Sequence, residues 1–134
     1  MHEIIAVDIS GRHKINGEYF MVVAAVSAFI SANNIEKINE IKIKTFKKIH
    51  APELTDVVKM VEDTANELQS NGIIITEKGD MYNKPEKIPS SMLSRAFKYQ
   101  ESIGERNAIE LAHHVSFSAR NLLLKELGMK EQVK

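Results

Sequence analysis

Two carboxylates occupy equivalent places in this sequence. Asp8 closes the apolar run Ile4-Ile5-Ala6-Val7, and Glu77 follows Ile73-Ile74-Ile75-Thr76. A carboxylate at the end of a buried run needs a partner, a metal or solvent, because an unpaired buried charge is expensive. If the two runs are parallel neighbouring strands, both carboxylates emerge at one sheet edge, where open sheets favour ligand sites. A third group lies in Glu105-Arg106-Asn107-Ala108-Ile109-Glu110-Leu111-Ala112-His113-His114. Asn107, Glu110 and His114 share a helical face there. Glu110 with His113 or His114 makes a usable metal-ligand pair, although adjacent histidines sit about 100° apart on a helix and cannot both point into one site.

Taken together, Asp8, Glu77 and Glu110 offer three oxygen ligands to a hard cation such as Mg²⁺ or Mn²⁺. Asp80 or Glu105 supplies a fourth, and His113 or His114 assists as ligand or proton carrier. The expected metal set is Asp8, Glu77, Glu110 and His113, and the expected catalytic set is Asp8, Glu77, Glu110 and His114. Divalent ions held between such groups activate water and stabilise a leaving oxygen in phosphodiester hydrolysis. Plainer readings stand beside these. Asp8 can bond the amides of the Ser10-Gly11 turn, Glu77 can be a solvated residue opening a loop, and the helical group can be a polar stripe opposite the core with one histidine reaching to the surface.

Lys42, Lys44, Lys47 and Lys48 form the best basic patch and are the candidate contacts to a nucleic-acid backbone. The same lysines on an edge strand would instead block unwanted strand pairing. The 134 residues include 18 Lys and Arg against 18 Asp and Glu, so a nucleic-acid partner would be met by a local patch rather than an overall basic charge. No cysteine is present, which excludes disulfides, thiolate zinc sites and a cysteine nucleophile, and fits a reducing, cytoplasmic compartment. No phosphate-loop or serine-elbow spacing occurs, and His2, His13 and His50 are too scattered to suggest zinc. Tyr19 to Val26 is too short to span a bilayer, and no membrane partner is expected. Val26-Ser27-Ala28 resembles a signal cleavage site, but the acidic, strand-like segment before it favours a buried strand.

The elements that must position these groups follow from periodicity. Residues 3–8 and 18–28 read as strands joined through Asn16-Gly17, the strongest turn dipeptide, and should pair antiparallel. Ile41 to Phe46 alternates as a third strand, with residues 35–40 ambiguous between helix and strand. A helix with Pro52 in its first turn carries Leu54, Val57, Val58, Val61, Ala65 and Leu68 and ends near Asn71-Gly72. Ile73 to Glu77 is a buried fourth strand, placed parallel to the first by a right-handed crossover. Ser90 or Ser91 caps a helix through Leu93, Ala96 and Phe97. Gly104 breaks the pattern, and Glu105 to Leu127 is a last helix with Ala108, Leu111, Ala112, Val115, Ala119 and Leu122 on its core stripe. Gly128 caps it, and residues 128–134 are expected to fray.

The expected fold is therefore one α/β domain over residues 1–134, a mixed sheet of about four to five strands in the order β-β-β-α-β-α-α with flanking helices. With Val7-Asp8-Ile9-Ser10-Gly11, Ile75-Thr76-Glu77 and Asn107-Ala108-Ile109-Glu110, the chain resembles the ribonuclease H-like superfamily, in particular its Holliday-junction-resolvase-like branch, over roughly residues 3–127. The first segment also resembles an uncharacterised archaeal family. The resemblance implies a metal-dependent nuclease whose strand-one Asp, strand-four Glu and last-helix acids bind Mg²⁺ or Mn²⁺. Two departures stand out: no fifth strand is visible between Glu77 and the last helix, and Asn107 stands where an acid is expected. A non-catalytic nucleic-acid- or protein-binding module, or a homodimer formed through the exposed long helix, is the alternative.

Overall fold

The computed structural model describes residues 1–128. The expected fraying of residues 129–134 lies outside the described residues. β1 (His2–Ser10) and β3 (Glu18–Ile30) form the antiparallel pair that the Asn16-Gly17 turn predicts. Both turn residues adopt positive φ, 52° and 81°, as such a turn requires. The two-residue β2 (Lys14–Ile15) pairs with β3 beyond the end of β1. The stretch that mimics a cleavage signal is the central strand β3, and Met21 to Val26 are wholly buried there.

β4 (Ile35–Lys48) takes the other edge of β3, so the ambiguous residues 35–40 are strand. A register shift between Ser27 and Ala28 breaks the strict alternation there, which is why periodicity alone leaves it ambiguous. β5 (Ile73–Thr76) lies parallel to β1, with Ile4, Ile5 and Ala6 opposite Ile73, Ile74 and Ile75. Across the sheet the order is β4, β3, β1, β5 and β6 (Phe97–Tyr99), and β6 is parallel to β5.

β6 corrects two expectations. A fifth main strand does stand between Glu77 and the last helix, and the helix through Leu93, Ala96 and Phe97 does not form. A short α2 (Lys87–Met92) precedes it instead. Three residues are too few to display a period. This strand exists because the Ala96 carbonyl accepts Ile74 N–H at 2.9 Å and the Thr76 carbonyl accepts Gln100 N–H at 3.0 Å.

Helices cover both faces. α1 (Leu54–Ala65) packs Val57, Val58 and Val61 against Ile5, Val7, Met21 and Val23. It starts after Pro52, at Leu54, because the Asp56 carboxylate accepts the Glu53 N–H at 2.8 Å. That bond, with Lys48, holds the Asp56 carboxyl below its ordinary range. The helix ends at Ala65, earlier than Asn71, where the chain tightens through Glu67 N–H to Thr64 and Leu68 N–H to Ala65. Arg95 secures this exit by donating to the carbonyls of Ala65, Ser70 and Gly72.

α3 (Ile103–Glu126) packs Ala108, Ile109 and Ala112 on Ile4, Ala6, Val26, Ala28 and Ile75. Its start is a capping box: Ser102 accepts the Glu105 N–H, and Glu105 accepts the Ser102 N–H, each at 3.1 Å. Glu105 is thereby committed to the cap and to Lys98 at 3.0 Å, not to a metal. Burial pushes its carboxyl up, but the Ser102 and Glu101 amides and Lys98 outweigh that and hold it below the ordinary range. Gly104 does not break the helix. It sits in the first turn pressed on the Ser31 carbonyl, where a Cβ would collide with backbone. The core stripe is also rotated from expectation: Leu122 is exposed, and the buried line continues through Ser116, Arg120 and Leu124.

Candidate metal centre

Strand alternation on β1 turns Ile5, Val7 and Ile9 toward α1, and Ile4, Ala6, Asp8 and Ser10 toward α3. The β1–β5 register, continued two residues past Ala6 and Ile75, sets Glu77 beside Asp8 on the same face. After Glu77 the chain turns through a 3-10 segment, Lys78–Met81, which brings Asp80 back toward the strand ends. Asp8, Glu77 and Asp80 each present an oxygen within 4.8 Å of the other two. Asp8 is only 3% exposed, whereas Glu77 opens to solvent.

The Asp80 turn is held by unusual backbone. Tyr82 and Asn83 both take left-handed conformations, φ 56° and 58°. For a tyrosine this costs on the order of 1–3 kcal/mol and requires compensation. The Tyr82 hydroxyl donates to the Pro52 carbonyl at 2.5 Å, and the Arg12 guanidinium lies 5.0 Å above its ring. Arg12 also donates to the Asp80 carbonyl at 2.6 Å, with its Nη2 3.8 Å from Asp80 Oδ1.

Asp8 is fixed from α3. Its Oδ2 accepts the Ser116 hydroxyl at 3.0 Å and lies 3.1 Å from His113 Nδ1. A carboxylate only accepts when ionised, so in that state of Asp8 the contact takes the proton on Nδ1 of His113. Ser116 is in turn 2.8 Å from the Ser10 hydroxyl. One turn further along α3, Arg120 donates through Nε to the Phe20 carbonyl at 2.7 Å. Gly11, at φ +103°, leaves the space that Arg120 fills.

Three negative charges this close are mutually repulsive. The repulsion is strongest between the less exposed pair, Asp8 and Asp80, because Glu77 is screened by solvent. The strain appears at Asp80, whose pKa is pushed up to about 8, first by burial and then by the Asp8 charge. Glu77 and a hydrogen bond to Asp8 add to the rise, and Arg12 opposes it. Among the described residues no group donates to the ionised Asp80 Oδ2. The cluster therefore holds either a proton or a cation. All-oxygen donors suit a hard divalent ion, so the residues fit Mg²⁺ or Mn²⁺.

Apart from His113, the other expected site residues are placed elsewhere. Glu110 is exposed on the outer surface of α3 and is not brought to Asp8 and Glu77. Asn107 donates to the Asn33 carbonyl at 3.2 Å. Of the two histidines, His113 meets Asp8, and His114 is exposed beside it. The lysines lie on β4, with β3 between them and β1. Lys44 pairs with Glu67, just past the end of α1, at 2.9 Å, and Lys48 with Asp56 on α1 at 3.0 Å. Lys42 shares their face by alternation, and Lys47 stands opposite Phe20 on the other. Arg12, Tyr82 and Ser116 were missed from sequence. Only Ser116, one helical turn after His113, carried a spacing signal.

A mixed α/β sheet with carboxylates gathered at the ends of two adjacent parallel strands is thus the class of protein defined. The chain belongs to the family described as "Uncharacterized protein conserved in archaea (DUF2209)", which matches residues 5–124 and so spans the whole cluster. It is 35% identical over 123 residues to the "Uncharacterized protein MJ0095" of Methanocaldococcus jannaschii, a match covering 91% of this chain and 97% of that one. The expected archaeal family is met. No helix among the described residues is long and apolar enough to cross a membrane.

Proposed function

We propose that this protein is a ribonuclease H-like, divalent-cation-dependent nuclease that hydrolyses phosphodiester bonds of DNA or RNA. The observation that carries this reading is the convergence of Asp8, Glu77 and Asp80 within 4.8 Å at the carboxyl ends of β1 and β5. β6 supports it too, because it supplies the strand that the resemblance required between Glu77 and the last helix.

Asp8, Glu77 and Asp80 would hold the ion, Mg²⁺ or Mn²⁺. Bound there, it supplies charge neutralisation at the phosphate and a more acidic water. Ser116 fixes the Asp8 carboxylate. His113, oriented by Asp8, presents Nε2 to solvent and carries a proton between water, or the leaving oxygen, and bulk. Arg12 keeps the Asp80 turn closed and places positive charge beside the incoming phosphate. The test is Mn²⁺-dependent cleavage of DNA and RNA substrates of several structures. Asp8→Asn should abolish it, and cleavage indifferent to that substitution would sink the assignment.

A second reading, a non-catalytic binding module on the same fold, draws on the outward placement of Glu110. The last helix offers Asp8 a histidine and a serine, and no acid. Salt-dependent nucleic-acid binding without turnover would favour that reading.

A further inference from the structure

α3 carries an aromatic pair that plays no part in the core. His113 and Phe117, one turn apart, stack with ring centroids 5.9 Å apart and planes 21° from parallel. Phe117 is 51% exposed, and the His113 side chain is 55% exposed. The His114 ring lies 5.9 Å from that of His113.

Phe117 does not belong to an apolar patch. Its neighbours within two turns on the outward face, Glu110, His114 and Asn121, are polar and exposed. A docking protein helix would need apolar anchors repeating along that face. What the face offers instead is one flat apolar surface, and its location is informative. His113 joins that surface to the carboxylates, 3.1 Å from Asp8.

We propose that Phe117 and His113 form a stacking platform for one nucleobase of an unpaired strand, beside the phosphate that the carboxylates act on. This rests on the nuclease reading and names its substrate class as single-stranded DNA or RNA, or an unpaired segment. In a duplex the faces of the bases are already stacked, whereas an unpaired base offers its face to an aromatic ring. Stacking also meets a need that charge leaves open. A chain of net charge zero draws little affinity from a general basic surface.

The test uses the full chain with Ca²⁺ in place of Mn²⁺, to suppress turnover. Fluorescence anisotropy measures affinity for labelled single-stranded 12-mers of DNA and RNA and for the matching duplexes. Phe117→Ala should weaken single-strand binding about 5- to 150-fold, the worth of one stacked base, and leave duplex binding unchanged. Phe117→Trp should restore it, and Phe117→Leu, apolar but not flat, should not. Single-strand affinity within twofold of the native chain in Phe117→Ala, equal loss on duplex, rescue by leucine, or no binding by the native chain would each overturn the proposal. Phe117-dependent binding without any metal-dependent cleavage would remove the nuclease reading and leave the platform standing. Asp8-dependent cleavage of single strands indifferent to Phe117 would do the reverse.

Discussion

Replacing Asp80 by Asn should make the metal-free protein more stable at alkaline pH, although it deletes a member of the proposed site. The Asp80 carboxyl titrates near 8 in the fold, against 3.8 for an ordinary aspartate. Between those values the native state holds a proton that the unfolded chain has released. Stability from this group is therefore fully present below about pH 4 and is lost as pH rises through about 8. At 1.36 kcal/mol per unit, the loss between pH 5 and pH 8.5 is about 4 kcal/mol, a large share of the 5–15 kcal/mol typical of a domain. Urea unfolding in EDTA at those two pH values measures it. The native chain should weaken by several kcal/mol and Asp80→Asn by much less. Mn²⁺ at pH 8.5 should restore the native chain and leave the variant unchanged. Superimposable pH profiles for the two proteins would mean that Asp80 holds no proton the unfolded chain lacks, contrary to this prediction.

Glu77→Gln should weaken Mn²⁺ binding at least tenfold by isothermal titration, while Glu110→Gln should leave it within twofold, since Glu77, unlike Glu110, joins Asp8 in the cluster. Gly104→Ala should destabilise the fold by about 1–3 kcal/mol in urea titration, because the new methyl meets the Ser31 carbonyl. Helix propensity alone predicts the opposite sign, a gain of about 1 kcal/mol.

Much of the frame was legible because its signals are local. Ile4 to Asp8 and Ile73 to Glu77 announce strands by unbroken apolar runs, and their right-handed crossover predicts the parallel pairing that sets the two carboxylates together. The remainder depended on partners distant in sequence. β6 exists only against β5. Asp80 reaches Asp8 through the 3-10 turn after Glu77, which closes on two left-handed residues, Tyr82 and Asn83, whose conformation nothing in the sequence requires. Glu110 stands apart from the cluster for a related reason. Its spacing puts it on one face with Asn107 and His114, but apolar residues alone do not define the inward face of α3. That face actually runs through Ser116 and Arg120, which bond Asp8 and the Phe20 carbonyl. Polar groups in a buried stripe turn the helix away from its apolar average, and Leu122 is left in solvent. The capping box Ser102-x-x-Glu105, by contrast, was readable and would have fixed both the helix start and the fate of Glu105.

The central claim is that Asp8, Glu77 and Asp80 hold one divalent cation in common. A crystal structure of the protein soaked in Mn²⁺ at pH 8.5, with the ion located by its anomalous scattering, tests it most directly. The ion should appear as a peak in direct contact with an oxygen from each of the three residues. A peak at Glu110 and His114, or none near Asp8, would contradict it.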